Sequence, residues 1–169
     1  ATKVNTVRLC AASLETSMSR DSTTTGNGGG LYNAGGTVGV TNSTISLNTA
    51  AGSGAGLYQS SNSLSLLSAT VFTNVASAIA GGGLVVQGGQ ASLANSLVGR
   101  NRAAFSQPDL SKGGSATITS LGCNLVGNAD SSGLTPAAGD QFGTGASTIN
   151  PLLGPLRNNG GATLTHVPV

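Results

Sequence analysis

Apolar residues in this chain fall on alternate positions in short runs: around Leu31, around Val38 and Val40, and around Thr44 and Ile45. Gly, Asn, Ser and Thr separate the runs. Period-2 runs bounded by turn residues predict strands, and no segment carries a capped helical stripe. The pattern then returns. Gly56-Leu57-Tyr58 repeats Gly30-Leu31-Tyr32 after 26 residues, and Gly83-Leu84-Val85 repeats it after 27 more. Downstream of each copy lies a second matching segment: TNSTISLNTA at 41–50, LSATVFTNVA at 67–76 and ANSLVGRNRA at 94–103. LETSMSRDST (14–23) and GCNLVGNAD (122–130) extend the frame in both directions. Self-similarity at this period marks a repeat architecture.

Four columns follow from that frame. One reads Met18, Ile45, Val71, Val98, Leu125; another Leu31, Leu57, Leu84, Leu110; a third Val40, Leu66, Leu93, Ile118. A polar column reads Asp21, Asn48, Asn74, Asn101, Asn128. Three short strands per repeat have only one inward row each and cannot form a core alone, whereas stacked coils pair their backbones and share one interior. The chain is therefore expected to be all-β: a single-stranded parallel β-helix, right-handed by the crossover rule, with about five coils of 26–27 residues. Its apolar columns fill the interior, and Asn48, Asn74, Asn101 and Asn128 form an amide ladder at a turn. The pairs Gly29-Gly30, Gly82-Gly83, Gly88-Gly89 and Gly113-Gly114 are expected to supply positive-φ corners. About two extra residues have to be absorbed near Ser120-Leu121, so a bulge is expected there.

Residues 1–130 read as the coils and 131–169 as an irregular capping segment of the same domain. Four of the five prolines lie in that tail, at 136, 151, 155 and 168. Proline is confined to edges and turns, and a stack needs an atypical end. The cap is expected to wrap or cross the last coil, with Leu152, Leu153, Leu156 and Leu164 as its apolar contacts.

Composition narrows the partners. Only 12 residues are charged, 7 Lys+Arg against 5 Asp+Glu, and there are three Phe, two Tyr and no Trp. Without a basic stripe or a stacking platform, nucleic-acid binding is disfavoured. No apolar run is long enough for a membrane span. The chain opens without a charged and apolar leader, so removal of any secretion signal is expected. Cys10 and Cys123 lie about four coil steps apart, roughly 19 Å at strand spacing, against the ~7 Å between Cα atoms that a disulfide needs. Two free thiols, a bridge between subunits, or a partner for Cys10 outside this chain remain open.

The stretch GGGLYNAGGTVGVTNSTISLNTA resembles the repeat of bacterial surface β-helix proteins of the polymorphic outer-membrane protein type. LGCNLVGNADSSG, GDQFGT and NPLLGPLRNNGGATLTHVP, between Leu121 and Pro168, resemble the choice-of-anchor Q domain family. The resemblance implies a secreted or cell-surface bacterial β-helix, normally carried on a longer chain with an exchangeable anchor. Family members usually continue past the position of Val169, often carry an upstream leader module, and more usually have His where Cys123 stands. The chain is thus expected to be a processed fragment or a short member.

Catalysis finds little support in the residues. The acids are Glu15, Asp21, Asp109, Asp130 and Asp140, and no two share a column on adjacent coils, so no carboxylate dyad can be assembled. His166, the sole histidine, has no carboxylate at useful spacing and reads as a surface or cap residue. The nonapeptide calcium repeat is absent, and neither metal nor cofactor is expected. An ice-binding array would use Thr16, Ser43, Ala69 and Ser96, which is interrupted, or the pair Thr44 and Thr70. The expectation is a non-catalytic surface structural or adhesive protein with protein or glycan contacts, self-assembly into a filament being an extension of that reading. The alternatives are a polysaccharide-binding or polysaccharide-cleaving β-helix and an ice-binding solenoid.

Overall fold

A computed structural model describes residues 11–15, 18–78, 80–104 and 108–169. All strand pairings between successive coils are parallel, and no helix occurs among the described residues. The chain winds into a β-solenoid of about four turns, slightly fewer than the five coils expected. Its first face stacks Ala11–Glu15, Thr37–Thr41, Ser63–Leu67, Gln90–Ala94 and Thr117–Ser120. The second stacks Met18–Arg20, Thr44–Ser46, Thr70–Phe72, Leu97–Gly99, Leu125–Val126 and Gln141–Phe142. A third, short face holds Thr23–Thr24, Thr49–Ala50 and Val75–Ala76, so the fullest turns have four strands rather than three. The fourth face holds Leu31–Asn33, Leu57–Gln59, Leu84–Val86 and Leu110–Lys112.

Side chains alternate across each pleat, so every other residue enters the interior. Leu31, Leu57, Leu84 and Leu110 stack in register and are all buried. Ile45, Val71 and Val98 do the same on the second face, as do Val40, Leu66 and Leu93 on the first. Burying each such side chain contributes roughly 1.5–3 kcal/mol relative to exposure. Alanines 50, 55, 76 and 103 make a separate small cluster under the third face.

The register corrects four positions. Met18 pairs with Thr44 on the outward column and is half-buried, and Ser19 lies over Ile45. Asp21 is likewise one residue early; it is exposed, and Ser22 takes the ladder position. Leu125 pairs with Leu97 and is half-buried, while Val126 stacks on Val98. Ile118 lies over Ala91 and Leu64, leaving Ser120 opposite Leu93. A fixed period hides these shifts. The step is 26 residues from Ile45 to Val71, 27 from Val71 to Val98 and 28 from Val98 to Val126. One extra residue, not two, enters between Ser120 and Leu125, where Gly122 and Cys123 both take positive φ (103° and 58°).

Most corners are not made by glycine pairs. Within the four pairs only Gly89 and Gly114 have positive φ. The recurrent left-handed residues are Asn42, Ser68, Asn95 and Cys123 at one corner, and Asp21, Leu47, Thr73 and Arg100 at the next.

The tail does two things. Leu134 and Phe142 pack against the end of the core, and Gln141–Phe142 adds a last rung to the second face. Residues 151–168 then run back along the outside of that face instead of crossing the last coil. Bridges between Leu153 and Pro168 and between Arg157 and Thr165 close them into an antiparallel strap. Pro151 covers Gly99, and His166 sits on Phe72 and Ser46. Leu152, expected as a contact, is 57% exposed.

Candidate functional site

Two side-chain ladders run up the interior of the corners. The left-handed residue at each corner turns the following side chain inward, so these polar groups are buried. In the first ladder, Asn48 N and Nδ2 both donate to Asn74 Oδ1, each at 3.0 Å. Asn74 N and Nδ2 repeat this onto Asn101 Oδ1, at 3.0 and 2.9 Å. Each amide also donates back to a strand carbonyl: Ser19 for Asn48, Ile45 for Asn74 and Val71 for Asn101. The buried amide donors of Asn48 and Asn74 thus meet acceptors on the coils to either side.

Asn128 does not continue the series. Its Oδ1 accepts from Asp130 N, and Asp109 enters in its place. Asp109 Oδ1 accepts from Asn101 N (2.7 Å) and Nδ2 (2.9 Å), and its Oδ2 accepts from Asn128 N (2.9 Å). The sequence signal is a glycine column. Asp109 precedes Leu110 as Gly30, Gly56 and Gly83 precede Leu31, Leu57 and Leu84. A Cβ on Gly56 would lie 3.0 Å from Asn74 Nδ2, and one on Gly83 2.6 Å from Asn101 Nδ2. A side chain in this column therefore points at the ladder, and only the fourth rung has one.

The second ladder uses the other corner. Ala69 N donates to Ser96 Oγ, Ser96 N to Asn124 Oδ1, and Asn124 N to Asp140 Oδ1 (2.8 Å). Ser43, Ala69 and Ser96 are buried, so the supposed hydroxyl array is internal; Thr16 lies outside the described residues. Both ladders thus end in a carboxylate, which has acceptors only and closes a row of donors. Their settings differ. Burial pushes the Asp109 carboxyl up to about 6, against the lowering effect of its three hydrogen bonds from Asn101 and Asn128. Burial also raises Asp140, but hydrogen bonds from Ser120, Ala137 and Asn124 outweigh it and hold that carboxyl below its ordinary value.

The remaining acids are dispersed. Asp21 pairs with Arg20 at 2.6 Å, and Asp130 accepts from Gly145 N. Among the described residues no three of His, Cys, Asp and Glu come together. His166 Nδ1 lies 2.7 Å from Gly154 O, and Nε2 lies 2.9 Å from Ser46 Oγ. The carbonyl can only accept, so in the neutral ring Nδ1 carries the hydrogen and Nε2 accepts from Ser46. Its ring meets Phe72 edge-on at 4.8 Å. Cys123 is free and exposed, and Cys10 lies outside the described residues.

The outer surfaces differ from face to face. On the first face, Thr37, Ser63, Gln90 and Thr117 form one outward column, and Gly39, Ser65, Ser92 and Thr119 the next, with no charge in either. On the fourth face Tyr32 and Tyr58 stack with centroids 5.3 Å apart and planes 4° apart. Val85, one rung beyond Tyr58, and Ser111 help line a shallow groove with Gln87 and Lys112. This is the architecture of a parallel β-solenoid with two uncharged outward columns on its first face. In comparisons with protein-family models, curated proteins and solved structures, nothing matches the chain.

Proposed function

We propose that this chain is a non-catalytic structural or adhesive β-solenoid displayed outside a bacterial cell, able to associate with copies of itself. The observation that carries the reading is the pair of neutral outward columns from Thr37 to Thr117 and from Gly39 to Thr119. A strand face held flat by continuous parallel pairing can meet a second such face without like-charge repulsion. The resemblance of segment 28–50 to the repeat of polymorphic outer-membrane-type surface proteins, and of segment 121–168 to the choice-of-anchor Q family, is the reason for placing the chain at the cell exterior. Leu134 and Phe142 cover the C-terminal end of the core, so lateral contact is favoured over end-to-end growth.

Negative-stain microscopy and light scattering over a concentration series test this. Ordered rods or bundles that grow with concentration are expected, whereas monodisperse single particles throughout would remove the assembling version. A second reading, glycan binding, rests on the half-exposed Tyr32–Tyr58 stack beside the groove. Aromatic faces next to a few polar groups suit sugar rings. A neutral-glycan array with the Tyr58→Ala protein as control decides between the two.

A further inference from the structure

We infer that the Asn101–Asp109–Asn128 junction is a proton-responsive joint, holding the last coil to the stack more firmly in mildly acidic than in neutral solution. The junction is where residues from Asp109 onward attach to the coils before them. Leu84 N donates to Asp109 O, and Asp109 N donates to Asn128 O, so its backbone is part of the rung. Its side chain occupies a column that elsewhere holds glycine, and the residue is 1% exposed.

Among the described residues, the groups hydrogen-bonded to the carboxyl are all neutral. Its hydrogen-bond donors are the amides of Asn101 and Asn128. Gly127 packs so tightly beside Oδ2 that a Cβ there would lie 2.4 Å away. Gly83 packs against the Asp109 backbone carbonyl, and the Ile149 carbonyl lies against Gly127. The charged residues nearest in sequence to these partners are Arg100, Arg102 and Asp130. The two arginines are exposed on either side of Asn101, and Asp130 is turned to Gly145. Burial penalises a carboxylate that has no cation beside it among the described residues more than it penalises the neutral acid.

The direction follows from the acid's ordinary value of 3.8 and its position near 6 here. Between those two the folded chain binds more protons at this group than the unfolded chain does. Stability from this group is therefore full below about pH 4, falls as pH rises to about 6, and is level above. The shift from 3.8 to about 6 corresponds to about a hundredfold change in the folding constant.

The test compares the whole chain with its Asp109→Asn variant in denaturant unfolding between about pH 4 and about pH 7. The asparagine keeps an oxygen for Asn101 and presents an amide to Asn128 N, which carries a fixed loss at every pH. The folding constant of the natural chain should fall relative to the variant's by about a hundredfold across the interval. Taking the difference removes contributions from His166 and the other acids. Parallel profiles for the two proteins would overturn the inference. Should the variant not fold, carboxyl-carbon NMR of Asp109 in the natural chain decides: a midpoint in the ordinary carboxylate range overturns the joint, and one near 6 supports it.

Discussion

The Asn74 side chain ties three coils together. It accepts from Asn48 N and Nδ2 and donates to Ile45 O, Phe72 O and Asn101 Oδ1. Replacing it by alanine strands the buried N–H of Asn48, and each orphaned buried group costs roughly 1–3 kcal/mol. Asn74→Ala should therefore lose about 3 kcal/mol or more in denaturant unfolding; a loss below about 1 kcal/mol would mean water replaces the ladder. The inward and outward columns predict a sharper contrast. Val71→Asp buries an unpaired charge at a fully buried position and should prevent folding, at a cost above about 4 kcal/mol. Ser65→Asp, on the exposed face, should stay within about 0.5 kcal/mol of the parent. Circular dichroism and thermal melts separate these outcomes, and equal tolerance would count against the columns. Single residues were legible where type repeats, as with Asn48, Asn74 and Asn101. Asp109 was hidden because its role depends on being the exception in a glycine column, and the substitution of one residue type for another carries no period.

At the scale of elements, hydrophobic alternation marked the strands, but their number per turn and their register drifted. The third face is only two residues long per coil, built around Ala50 and Ala76, and gives too short a run to read as a strand. Steps of 26, 27 and 28 residues put Met18 and Leu125 in the wrong columns, since one residue of slip exchanges inside for outside, whereas Ile118 is two residues out of place and stays on an inward column. The strap was the least legible element. Its contacts are to coils far back in the chain, and its fixed point is a histidine rather than a leucine. Ser46 and Phe72 are buried on an outward-facing column because the strap covers them. His166→Ala removes a hydrogen bond to Ser46 and one to Gly154, each worth about 1 kcal/mol. The strap should then open more often, and trypsin should cut after the exposed Arg157 about fivefold or more faster, while the coils keep their melting temperature within a few degrees. An unchanged cutting rate would show that the hairpin's own bridges, not His166, hold it.

For the whole molecule, stacking explains how a chain with so few large side chains forms a continuous core. Each interior residue is shared between the coil above and the coil below, so Val71 serves both Ile45 and Val98. The polar corners are satisfied internally, and few charges are needed outside. The fold class was legible because repetition multiplies a weak signal across turns. Function was not, because surface columns such as Thr37, Ser63, Gln90 and Thr117 differ from turn to turn and carry chemistry only as a plane. Repetition also creates a difficulty that the irregular features resolve. A stack of near-identical rungs could pair one step out of place at little cost, since leucine would still meet leucine and asparagine would still meet asparagine. Asp109 has only one rung with three amide donors waiting for it, the insertion at Gly122 fits only one turn, and His166 reaches Ser46 only when the count between them is right. In this molecule the departures from the pattern act as index marks, giving an otherwise slippery screw a single seated position.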